Sequence, residues 1–102
     1  MPIVAVSIAP AGIEGSSLSE WVAAAERVIC ADGRVKYRLD PMFTTMQGEL
    51  HVCFEIIEQM HEALFAMGAP RVGTVIKIDD RRDKVVEMED KVKKVESILK
   101  KR

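Results

Sequence analysis

Cysteine, tryptophan and tyrosine are scarce in this chain of 102 residues, which has two, one and one of them. Cys30 and Cys53 belong to no CxxC pair, and His51 and His61 stand at no zinc-like spacing from them, so no metal site is expected. Both thiols read as free, buried and kept reduced in a cytoplasm. Charge of one sign is lacking too. Fifteen basic residues face sixteen acidic ones, for a net charge of -1. That balance gives no basic footprint for nucleic acid, and the central strands carry no aromatic pair for stacking RNA bases. No apolar run approaches the roughly 18 residues of a membrane span. The opening stretch, MPIVAVSIAPAG, has no basic leader and does not read as a signal peptide. Also missing are a glycine-rich phosphate loop, a pair of catalytic carboxylates and a nucleophile with a base at recognisable spacing. Neither an enzyme nor a resident cofactor is expected.

What is present is ordinary for a soluble globular protein, with 48% hydrophobic and 30% charged residues. The length suits one domain spanning 1–102. PIVAVSIA (2–9) predicts a strand that ends at Pro10 and Gly12. A helix follows, with Ser17 and Glu20 spaced as a capping box, an apolar stripe of Leu18, Val22, Ala25 and Ile29, and a stop at Asp32-Gly33. VKYRL alternates as a half-buried strand, Asp40-Pro41 turns the chain, and MFTTMQG returns it. A second helix over about 49–67 carries Leu50, Cys53, Phe54, Ile57, His61 and Leu64 on one stripe before Gly68 and Pro70. RVGTVIKID predicts a fourth strand. From Asp83, expected as the cap of a last helix over 83–100, Val85, Met88, Val92, Val95 and Leu99 form a heptad-like seam. The order is βαββαβ plus a helix. It predicts an α+β, ferredoxin-like, antiparallel four-stranded sheet with two helices on one face.

Two helices leave the other sheet face to water, a ligand or another subunit. Val4, Val6 and Ile8 are expected beneath the helices, and so are Val72, Thr74, Ile76 and Ile78. Ser7, Gly73, Val75, Lys77 and Asp79 then share the open face, a surface with room for a ligand between packed sheets. Lys77 can carry its ammonium to water along an aliphatic stem, pair with Asp79 or a neighbour's carboxylate, or contact a polar ligand. Tyr37 either packs in the core or points its hydroxyl into a pocket. Thr44 and Thr45 face opposite ways, so only one can reach a given pocket. His61 reads as a satisfied core histidine. The run DDRRD is a solvated turn or a source of pairs between subunits.

VAVSIAP, KYRLDPMFTTMQGE and MHEALFAMGAPRVGTVIKIDDRRDK together resemble the small thiamine-binding, YkoF-like family of ferredoxin-like proteins, over nearly the whole chain. The resemblance implies a non-catalytic protein that binds thiamine or its hydroxymethylpyrimidine moiety at an interface between back-to-back sheets, commonly as a homotetramer. Ser7, Thr44, Thr45 and Lys77 match positions that recur in the family's motifs. They join Tyr37 as ligand-binding candidates. Phe43 stands where the family usually has a small residue, and Gln47 where it often has glutamate. The alternative expectation is a structural or regulatory homo-oligomer with no small-molecule ligand.

Overall fold

A computed structural model describes residues 1–15 and 17–101. Its elements are β1 (Ile3–Ala11), α1 (Ser19–Asp32), β2 (Lys36–Leu39), β3 (Thr44–Gln47), α2 (Leu50–Ala66), β4 (Arg71–Asp79) and α3 (Met88–Lys100). The sheet is antiparallel throughout, in the order β2-β3-β1-β4. This is the expected ferredoxin-like arrangement. Strand alternation sets the two faces. Val4 and Val6 of β1 and Met46 of β3 are buried with Ala25 and Ile29 of α1 and Cys53, Ile56, Met60 and Leu64 of α2. Ile8 packs at the margin of that core.

Helix ends depart from expectation. α1 begins at Ser19 behind Leu18, and no side chain caps it, so Ser17 and Glu20 form no capping box. Glu20 instead lies in the first turn, where a carboxylate suits the helix dipole. Gly33 ends α1 as expected, in the left-handed conformation at φ 77° that a glycine adopts without strain. α3 starts at Met88, five residues after the expected cap. Arg81 occupies the Asp83 carboxylate. Asp90 accepts the backbone N–H of Glu87 at 3.1 Å and so fixes the later start.

Core assignments change as well: Ile76 and Ile78, expected beneath the helices, are exposed, and so is Cys30, expected as a buried thiol. β2 is an exposed edge strand, and Leu39 is 57% exposed rather than core. On α2 the buried stripe runs through Cys53, Ile56, Ile57, Met60 and Leu64, leaving Phe54 exposed. The seam on α3 is shorter than expected, because Val85 precedes the helix and is 86% exposed. Met88 is buried, but Val92, Val95, Ile98 and Leu99 are exposed. The Cα radius of gyration is 15.4 Å, against about 13 Å for a compact chain of this length. α3 stands off the body beyond its first turn.

Candidate functional site

The open face is built from cross-strand rows. One row runs Lys36, Gln47, Ile3, Asp79. The start of α3 is clamped across it. Gln47, itself buried, donates to the carbonyls of Val86 (2.9 Å) and Met1 (3.3 Å) and accepts the N–H of Met88 (3.0 Å). Lys36 reaches Glu87 and Glu89 at 2.6 and 2.7 Å, and Lys91 binds Asp79 from the opposite edge. Glu87 and then Glu89 hold the Lys36 ammonium above its ordinary range, while Lys36 draws the Glu89 carboxyl down.

The next row runs Arg38, Thr45, Ala5, Lys77, and Ser7 lies across from Val75 one step further. Ala5 and Thr45 are half-buried and Lys77 is exposed. Charges from β2 and β4 therefore frame a small centre, which makes this face more polar than the alternation of β1 and β4 alone predicts. Asp79 is not the partner of Lys77, since Lys91 takes it.

The segment after β4 is neutralised within itself. Arg81 pairs with Asp83, and Arg82 with Asp80 at 2.9 Å. The guanidinium of Arg81 holds the Asp83 carboxyl down at about 2. Arg82 likewise lowers Asp80. These residues, with Lys84, Lys91 and Lys94, surround an open pocket of about 560 Å³ at the strand's end.

Thr44 and Tyr37 lie on the helix side, not with Thr45 and Lys77. Thr44 is 4% exposed, and its hydroxyl donates to Oε1 of Glu26 on α1. The other oxygen of that carboxyl, Oε2, is buried without a hydrogen-bond partner. Glu26, Thr44, Ser7, Ile8 and Phe43 line a small cavity of about 70 Å³ between α1, β1 and the β2–β3 hairpin. Beside it the Tyr37 hydroxyl and the Cys30 sulfur are 2.9 Å apart. That contact with Cys30, more than the nearby Glu26, pushes the Tyr37 hydroxyl above its ordinary range. Tyr37 therefore packs against α1 at an exposed edge instead of entering the core.

Of the five candidates, Thr44 lies at the cavity with Tyr37 nearby, whereas Ser7, which only borders the cavity where β1 passes it, alternates onto the open face with Thr45 and Lys77. Glu26 was not among them. Its signal is positional: Val22, Glu26 and Cys30 follow one another at four-residue steps along the border of the α1 stripe. His61 is half-buried, and its Nε2 lies 2.6 Å from Oγ1 of Thr74. Among the described residues no group of three or more His, Cys, Asp and Glu could hold a metal ion. No described helix is long and apolar enough to cross a membrane.

Fold and site together define a ferredoxin-like α+β domain whose helix layer and sheet enclose a small, partly polar cavity. The sequence profile of the thiamine-binding protein family matches residues 4–96, and the chain belongs to that family. It is 43% identical over 102 residues to the UPF0045 protein YqgV of Bacillus subtilis, covering 97% of this chain and 98% of the relative. A UPF0045 protein of Staphylococcus xylosus is 42% identical, with 97% and 95% covered. Among solved structures, a domain of unknown function from Bacillus cereus superposes with TM-score 0.81 at 30% identity, covering 91% of this chain and 88% of that one. A proposed thiamine biosynthesis/salvage protein from Thermotoga maritima superposes with TM-score 0.78 at 26% identity, with 92% and 97% covered. These findings support a thiamine-related role, and nothing in them points to catalysis.

Proposed function

We propose that this protein binds thiamine or its hydroxymethylpyrimidine moiety without transforming it, and does so as a homotetramer in the cytoplasm. The observation that carries the reading is the cavity under α1. In a chain of the thiamine-binding family, it puts Thr44 and Glu26 in one wall with the apolar Ile8 and Phe43, and it leaves Tyr37 at its flank. Its make-up is that of small ligand sites, mostly apolar with a few fixed polar groups, and at about 70 Å³ it must widen to admit a ring. His61, the one histidine on the α2 stripe, is tied to Thr74 and serves packing.

The open row of Arg38, Thr45, Ala5 and Lys77 receives a second copy, and the exposed α3 seam receives a third. Two different patches, each closed by a two-fold, give dihedral symmetry with four subunits as the smallest closed set. Free thiols at Cys30 and Cys53 suit a reducing compartment.

A second reading puts the ligand between the paired sheets, on Ser7, Thr45 and Lys77. The small side chain of Ala5 at the centre of the row favours it, because two such sheets leave room between them. Equilibrium dialysis against thiamine, with chromatography of the recovered ligand, tests the proposal. Retained and chemically unchanged thiamine is expected. A released fragment would overturn the non-catalytic reading, and no retention would leave the structural or regulatory homo-oligomer. Thr44→Val should weaken retention and Thr45→Ala should not; the reverse result selects the interface.

A further inference from the structure

The two helices do not cover the whole sheet. Ile76 and Ile78 of β4 lie across from Val6 and Val4 on the helix side, yet both are exposed whereas the valines are buried. Thr74 meets His61 of α2, and the turn after α2 returns β4 along that helix. Two turns before His61, on the same flank, Phe54 is exposed and stands toward Ile76 and Ile78. The edge of β4 and the flank of α2 thus form an apolar groove that neither helix fills. α2 carries Glu55, Glu58 and Glu62 and no lysine or arginine. Glu58 and Glu62, four and eight residues after Phe54, border the groove.

α3 has the opposite make-up. Its seam of Val92, Val95 and Leu99 is exposed, and past Lys91 the chain carries Lys93, Lys94, Lys100 and Lys101 against Glu96 alone. It is held away from the groove of its own chain. Glu87 and Glu89 bind Lys36 on β2, Gln47 clamps the first turn, and Lys91 binds Asp79 on β4, all on the open face. α3 therefore crosses the open face toward β4, and its residues after Lys91 run on for about 13 Å.

We infer that the groove between α2 and β4 receives α3 of a second copy of this chain. A two-fold axis alongside β4 sets two copies edge to edge with opposite sheet faces up, so the open-face side of one continues as the helix layer of the other. Each α3 then lies beside its neighbour's α2, with the seam against Phe54, Ile76 and Ile78 and the lysines toward Glu58 and Glu62. The groove lies at the Asp79 end of β4, which is the end where α3 leaves. Opposite charges along the two margins select the partner and fix the register. This rests on the reading above that the seam joins subunits, and it names the surface the seam meets.

Two charge-reversed variants of the full chain test this in sedimentation velocity: Glu58→Lys with Glu62→Lys, and Lys93→Glu with Lys100→Glu. Lys93 and Lys100 each follow a seam residue and line one margin of it, and all four side chains are exposed in the single chain. Either variant alone sets like charges together and should raise the tetramer–dimer dissociation constant by about tenfold or more. Mixed one to one, the two should assemble again, because every contact between unlike copies then pairs lysine with glutamate. Should either variant fail to fold, Phe54→Ser with Ile78→Ser takes its place and should also leave dimers; a tetramer of that variant counts against the groove. If the α2 variant assembles as tightly as the wild type, or the mixture stays dimeric, the inference is overturned, and the seam joins subunits through another surface. A wild-type monomer at micromolar concentration would overturn both the inference and the assembly it rests on.

Discussion

Gln47 shows how much one side chain does here. A glutamine on a strand ordinarily faces water, yet this one is buried because its amide meets three backbone groups, from Met1, Val86 and Met88. Gln47→Ala strands those groups, and each unmade buried bond costs about 1–3 kcal/mol. Urea unfolding should show a loss of at least about 1 kcal/mol, and the Met88 amide should exchange faster. An unchanged midpoint would mean α3 is held by its ion pairs alone. The two thiols also differ. Cys30 is exposed, while burial raises Cys53 above its ordinary range and removes it from solvent. A thiol reagent should modify one cysteine per native chain, Cys30, and both after unfolding. Rapid double labelling of native protein would contradict the burial of Cys53. Glu26 was beyond reach at this scale from sequence. A glutamate beside an apolar stripe reads as a solvated border residue until the β2–β3 hairpin is folded against it.

At the scale of elements, strands were more legible than helix ends. The β4 residues Arg71–Asp79 coincide with the run expected from RVGTVIKID, because alternation and the flanking Pro70 and Asp80 bound it tightly. The start of α3 moved because capping residues compete for partners. Asp83 has the right chemistry for a cap, but Arg81, two residues away, is a stronger partner than a backbone N–H. The pH consequence has a definite sign. Asp83 has its carboxyl lowered to about 2 in the folded chain. Its contribution to stability is therefore present above the unfolded value near 3.8 and is lost as pH falls toward 2. Both partners are solvent-facing, so salt should weaken the effect. An NMR titration should place the Asp83 midpoint well below that of an ordinary aspartate and move it upward in Arg81→Ala. A normal midpoint in the unmodified chain would show that the pair does not persist in solution.

At the scale of the whole molecule, two surfaces of the described residues are unpartnered: the Arg38–Thr45–Ala5–Lys77 row and the seam of Val92, Val95 and Leu99. Apolar burial of about 25 cal/mol per Å² favours covering the seam, against the cost of association. Val92→Asp combined with Val95→Asp should break one interface and leave dimers in sedimentation velocity. A wild-type monomer at micromolar concentration would sink the tetramer, and a tetrameric double mutant would clear the seam of a role in assembly. The fold class was readable because βαββαβ order and crossover handedness leave few topologies. Alternation also showed that Thr44 and Thr45 part to opposite faces, but not which of them lies under the helices, because a one-residue shift of register along β3 exchanges the two.

The central claim is that the chain binds a thiamine-related compound. Calorimetric titration of the unmodified protein with thiamine tests it most directly. The account predicts saturable binding, one molecule per chain, with micromolar or tighter affinity. A flat titration at millimolar thiamine would contradict it.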